Sequence, residues 1–192
     1  MKKLLLATAA AALCAGAAGA EDIKLGIIFG FTGPIESLTG SMAAAAEAAV
    51  AEVNASGKLL DGSTVTTVRG DSTCVDAAAA TAVAETQVTV DKVNAIIGGD
   101  CSGVTGAILS NIAVPNGIVM ISPSATSPAL STAEDAGLFF RTAPSDAREG
   151  EIAAEIMMEK GVKSAALTYT NNDYGKGLAE ATASSLTAKG GT

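Results

Sequence analysis

Short apolar runs closed by glycine, each followed by a longer stretch with apolar residues at helical spacing, recur along this chain and leave it few folds to choose from. The first run is residues 23–29 (Ile-Lys-Leu-Gly-Ile-Ile-Phe), ended by Gly30 and a Thr32-Gly33-Pro34 turn. Continuous apolar runs of this length read as strands buried on both faces of a parallel sheet. Residues 37–53 then carry Met42, Ala46, Ala49, Val50 and Val53 at helical spacing. They stop at Asn54-Ala55-Ser56-Gly57, whose glycine suits a C-terminal cap. The alternation continues with strands over 64–69, 93–97 and 117–121 and helices over 75–90 and 102–113. It predicts a doubly wound α/β lobe built on a parallel sheet.

Residues 138–142 read as one more strand, and Ala143-Pro144-Ser145-Asp146 breaks the pattern. A fresh unit follows: a helix over 146–159, a strand over 164–170 and a helix from Tyr174 to about Lys189. One strand with its flanking helices buries too little to stand alone. The expectation is a lobe over 21–142 and the start of a second, incomplete α/β lobe over 143–192.

Ahead of the first strand, Lys2 and Lys3, an apolar run over 4–13 and Ala18-Gly19-Ala20 have the order of a cleavable secretory leader. The apolar run is shorter than the ~20 residues that a spanning helix needs. Leu13 stands where a lipoprotein signal carries a small residue, so Cys14 reads as part of the leader. A signal peptide over 1–20, a mature chain from Glu21 and a periplasmic location are expected. Export gives Cys74 and Cys101 a meaning: in an oxidising compartment an even pair is most simply a disulfide. Zinc is a poor alternative, since the chain has no histidine and no third or fourth thiol beyond the leader.

Charge and composition narrow the function. A net charge of −8, more negative once Lys2 and Lys3 are gone, argues against nucleic acid as a partner. Without histidine, Ser-His-Asp and Cys-His catalytic sets cannot be built, and no enzyme activity, metal or cofactor is expected. A small ligand remains. In an open α/β sheet it binds beyond the carboxyl ends of the strands, where three loops have suitable chemistry: 31–38, 98–105 and 122–128. The last two are dense in hydroxyls and small residues, which let backbone N–H groups approach a carboxylate. The plainer alternative is that Ser102 is only an N-cap and 122–128 only a rigid turn. Phosphate is disfavoured, because neither GxGxxG nor GxxxxGK[ST] occurs.

The same loops carry a resemblance. In order along the chain come Thr32-Gly33-Pro34, Asn54-Ala55-Ser56-Gly57, Gly99-Asp100-Cys101-Ser102 and Ile121-Ser122-Pro123-Ser124-Ala125-Thr126-Ser127-Pro128. Phe140-Arg141-Thr142-Ala143-Pro144-Ser145-Asp146 and Asn172-Asp173-Tyr174-Gly175-Lys176-Gly177 complete the set. From about Ile23 to Thr192 the chain resembles the leucine/isoleucine/valine-binding proteins, the periplasmic substrate-binding components of branched-chain amino acid ABC transporters. The resemblance implies a two-lobed type I periplasmic binding fold that closes on its ligand, acts as a monomer and docks on a membrane permease. It also implies a Cys74–Cys101 disulfide.

By position, it implies that Ser102 and Thr126 hold the ligand carboxylate, that the Ser124 carbonyl accepts from the ammonium and that Tyr174 closes over the ligand. Leu38 falls where leucine binders place an aromatic residue, and Asp100 where they place an apolar one. A buried unpaired carboxylate beside an aliphatic side chain is costly, so Asp100 argues against an aliphatic ligand unless it points away. A ligand-sensing ectodomain or regulator of the same fold, binding a small amide or carboxylate, is the competing expectation.

Overall fold

The computed structural model describes residues 22–59 and 62–192, so the expected leader lies outside the described residues. Five strands form one parallel sheet: β1 (Asp22–Phe29), β2 (Thr64–Asp71), β3 (Ala95–Gly98), β4 (Val119–Ser122) and β5 (Phe139–Arg141). Their spatial order is β2-β1-β3-β4-β5. From β1 the chain steps outward to β2 and then returns past β1 to β3, so the direction of winding reverses between β1 and β3.

Alternate residues of the strands feed two faces. Ile28, Ile96 and Met120 meet Ala80 and Ala84 of α2 (Ala77–Thr89) and Val104 and Ile108 of α3 (Ser102–Ile108). Ile27 and Phe29 turn the other way, onto Ala43 of α1 (Glu36–Ala55). Each fully buried isoleucine of this set contributes about 1.5–3 kcal/mol relative to exposure. Alanines at the helix contacts let α1 and α2 lie close to the sheet. Beyond β3 the α1 face is less covered, and Ile121 and its register partner Phe140 are exposed.

Gln87 of α2 is inserted into this packing. It is buried, its Nε2 donates to the Val68 carbonyl at 3.1 Å, and its amide fills space that Cβ atoms at Gly26 and Gly70 would occupy. Its Oε1 has no hydrogen-bond donor among the described residues.

The helix expected over 102–113 runs further. After α3 it widens into a π-helical turn, Leu109–Ala113, and continues as α4 (Val114–Asn116). Pro115 lacks an N–H, and falling in the first turn of a new α segment it breaks no needed bond. Gly117, with φ 67°, ends the rod, and the strand expected from 117 begins at Val119. β3 likewise starts late. Asn94 pairs with Lys24 through its own N–H and through Oδ1, which accepts from the Lys24 N–H at 2.8 Å.

Beyond a 3₁₀ turn (Pro128–Ser131) and β5 come α5 (Asp146–Glu159) and α6 (Asp173–Ala188), which pack against one another. Ser145 caps α5 through the Ala147 N–H, and Asn172 caps α6 through the Gly175 N–H. The strand expected over 164–170 is not formed. The Ala165 N–H donates to the Thr192 carbonyl and the Thr192 N–H to the Lys163 carbonyl, but among the described residues 166–170 has no neighbour to complete a ladder.

Candidate functional site

Where winding reverses, helices leave the sheet on opposite faces and a crevice opens beyond the strand ends. Here that point is β1/β3, and a cleft of about 690 Å³ lies at it. The volume falls in the range usual for small-molecule sites. One wall is the loop after β1 and the start of α1, with Ile35, Leu38 and Met42. The loops after β2 and β3 supply Cys74, Val75 and residues 100–104, and Ser124 comes from the loop after β4. Residues 170–174, leading into α6, form the opposite side. A shallower hollow of about 320 Å³, between β2 and α2, shares no residue with this cleft.

Two carboxylates fix the loops. Asp71 accepts from the Thr32 hydroxyl at 2.6 Å, the Thr32 N–H at 3.2 Å and the Thr73 N–H at 2.8 Å, tying the loop after β1 to that after β2. Partial burial pushes its carboxyl up, but the Thr32 hydroxyl and the N–H groups of Thr73, Thr32 and Phe31 outweigh it and hold it below the usual range. Asp100 is only 3% exposed. Its Oδ2 accepts from the Gly30 N–H at 2.7 Å, and its Oδ1 from the Cys101 N–H at 3.0 Å and the Ser72 hydroxyl at 3.4 Å. Burial raises its pKa above the ordinary value in spite of these donors, because none carries a charge. Asp100 thus borders the cleft with its carboxylate turned into the protein.

Beside it Cys74 and Cys101 are joined in a disulfide with a Cα separation of 5.3 Å, well within bridging reach. The bridge makes one continuous wall of the loops after β2 and β3.

The remaining sequence-predicted residues do not all converge. Ser102, the first residue of α3, lines the cleft. Its Oγ accepts from the Ser127 N–H at 3.1 Å, which leaves its own proton to donate. Ser124 also lines the cleft, its hydroxyl donating to the Asp100 carbonyl at 2.8 Å. Leu38 and Tyr174 stand on opposite sides, 59% and 44% exposed. Thr126 is not among the lining residues. Its hydroxyl donates to Asp146 Oδ2 at 2.9 Å, and its carbonyl accepts from the Asp146 N–H at 2.9 Å. Arg141 fixes the same loop, donating to the Ala125 and Ser127 carbonyls at 3.2 and 3.0 Å.

Other lining residues were not named as site residues from the sequence, among them Ile35, Met42, Val75 and Asp173. Ile35, Met42 and Val75 give no signal beyond an apolar residue near a strand end, whereas Asp173 stands in the quoted Asn172-to-Gly177 motif.

A parallel α/β sheet with a cleft at its switch point, walled by aliphatic side chains and hydroxyls, defines a lobe of the class that holds small ligands beyond the strand ends. The chain belongs to the Periplasmic binding protein family, whose profile matches residues 22–192. The Leu/Ile/Val-binding protein of Escherichia coli (strain K12) is 37% identical over 180 residues, which are 93% of this chain and 48% of that protein. The chain spans about half the length of the curated relatives it matches.

Among solved structures it is similar to the branched-chain amino acid transporter substrate binding protein of Streptococcus pneumoniae in complex with isoleucine. That match has 33% identity and a TM-score of 0.74, and covers 86% of this chain and 47% of the other. A solute binding protein of an ABC transporter from R. palustris in complex with benzoate matches with a TM-score of 0.77 at 25% identity, over 91% of this chain and 46% of the other.

Proposed function

We propose that this chain is the ligand-capturing part of a periplasmic solute-binding protein that delivers an amino acid, branched-chain or related, to a membrane ABC permease. The observation that carries the reading is the cleft at β1/β3, where Ser102, whose Oγ accepts from the Ser127 N–H, and the aliphatic residues Leu38, Met42 and Val75 line one space. Residues 21–142 act as the first lobe and 143–192 as the beginning of the second. Ser102 donates to the ligand carboxylate, the Ser124 carbonyl accepts from the ammonium, and the aliphatic wall takes the side chain. Thr126, through Asp146, keeps the intervening loop in place. Tyr174 covers the ligand from the far side. Capture is then a matter of closure and release without chemistry, and the protein works as a monomer in the periplasm. The similarity to Leu/Ile/Val-binding proteins supports the ligand class.

The test is calorimetry on the protein expressed from its complete gene, against leucine, isoleucine, valine and a panel of polar amino acids. Binding of an aliphatic amino acid, weakened about tenfold or more by Ser102→Ala, is the expected result, since a hydrogen bond to a charged group contributes about 1.5–3 kcal/mol. Unchanged affinity in Ser102→Ala would reduce that residue to a helix start.

A further inference from the structure

The lining of the cleft contains two acidic residues, Asp100 and Asp173, and no lysine or arginine. Asp100 is buried and its carboxylate is held by Gly30, Cys101 and Ser72. Asp173 differs in each respect. It is exposed, lies in the first turn of α6, and its carboxylate makes no hydrogen bond or ion pair among the described residues. It leans across the cleft toward Gly103: Oδ2 and Cγ lie 3.4 and 3.8 Å from where a Cβ on Gly103 would stand. Ser102, the proposed carboxylate donor, and Gly103 line the same cleft as Asp173, so a ligand carboxylate on Ser102 shares that cleft with a second, free carboxylate. Two like charges in one cleft, with no lysine or arginine among its described lining residues, disfavour one another. Among the described residues none supplies the offsetting positive charge at the cleft, which leaves it to the ligand.

We infer that Asp173 is a specificity-determining residue that makes the cleft select a zwitterionic amino acid over a carboxylic acid of the same shape. The inference rests on the proposed amino-acid site. It also separates two outcomes that the fold leaves open, since solved relatives of this shape hold isoleucine in one case and benzoate in another. An ammonium one carbon from the carboxylate lies within reach of Asp173 and cancels the repulsion. A des-amino acid brings only the repulsion.

The probes are leucine, 4-methylpentanoate, which is leucine without its amine, and benzoate, titrated into the protein expressed from its complete gene. Wild type should prefer leucine over 4-methylpentanoate by about 100-fold or more. Asp173→Asn should narrow that ratio about tenfold, the scale of one charge-assisted contact, with part of the change appearing as tighter binding of 4-methylpentanoate. Asp173→Glu should keep the preference, which separates charge from any structural role in the first turn of α6. Circular dichroism establishes that each variant is folded. Leucine binding with the same ratio in wild type and Asp173→Asn overturns the inference and leaves the amino-acid reading standing, as does wild-type benzoate binding as tight as leucine. Failure of every amino acid to bind wild type removes both.

Discussion

Replacing Cys74 and Cys101 together by serine tests how far the cleft wall depends on a covalent tie. The bridge spans a sequence separation of 27, for which loop-closure entropy amounts to about 3.5 kcal/mol at room temperature. The local backbone works against part of this. Thr73 and Cys74 have φ of 57° and 67°, in the left-handed region that non-glycine residues enter at a cost of about 1–3 kcal/mol each. Asp71 Oδ1 holds the Thr73 N–H at 2.8 Å and the Ser72 hydroxyl holds the Cys74 N–H at 3.3 Å, so only Cys74 is weakly kept once the bridge is gone. Relaxation there returns about 1 kcal/mol, leaving an expected loss of about 2.5 kcal/mol. The assay is urea unfolding followed by far-ultraviolet circular dichroism, because there is no tryptophan and both tyrosines are exposed. The m-value should rise as the denatured chain loses its cross-link. A loss below about 1 kcal/mol with an unchanged m-value would refute the loop-closure argument.

Asp100→Asn should be destabilising at neutral pH by about 1–3 kcal/mol, because one of the Gly30 and Cys101 N–H groups must then face an amide NH₂. Folding raises the Asp100 pKa, so its contribution is full below the ordinary carboxylate value near 4 and is lost as pH rises through the folded value. The stability gap between wild type and Asp100→Asn, measured by urea unfolding from about pH 3 to pH 7, should therefore narrow with rising pH, and a gap that widens contradicts the assignment. Asp146→Ala removes the acceptor of the Thr126 hydroxyl and should cost about 1.5–3 kcal/mol. In a double-mutant cycle with Thr126→Ala the two losses should be strongly coupled, and simple addition would show the contact to be idle. Gly26→Ala should cost about 1–3 kcal/mol by pushing the Gln87 amide off the Val68 carbonyl. Adding Gln87→Ala should recover part of that loss in thermal melts.

Apart from the disulfide, those perturbations fall where the sequence was least informative, and the contrast has a physical basis. The strand 23–29 and the helix 37–53 are announced by residues adjacent in the chain: apolar runs, alanines and the glycines that end them. Whether 164–170 becomes a strand depends on a neighbour, and among the described residues only Ala165, with Lys163 just ahead of the segment, pairs with Thr192. The helix expected to end at Ala113 runs on past Pro115 through a π turn, whose Leu109, Ile112 and Ala113 are buried in the core. In the site, Ser102 was legible because a hydroxyl at a helix start has a local cause. The partners of Asp100 and Thr126 lie 70 and 20 residues away, at Gly30 and Asp146, and no spacing rule connects them. Asp173 was visible within its motif, but its approach to Gly103 exists only once α6 has packed near α3.

Gln87 carries a consequence for how the sheet can go wrong. A one-residue slip of β2 along β1 throws the apolar set to the wrong face and is excluded by that alone, but a two-residue slip preserves every side chain's face. In the native register Gly26 pairs with Val68 and Ile28 with Gly70, so both glycines lie beneath the same glutamine. Moving β2 by two residues brings Val68 or Ser72 to the place of Gly70, where either side chain runs into Val83 and the Gln87 amide. Two missing side chains and one long one therefore act as a proofreading device, rejecting the misalignment that hydrophobicity would accept.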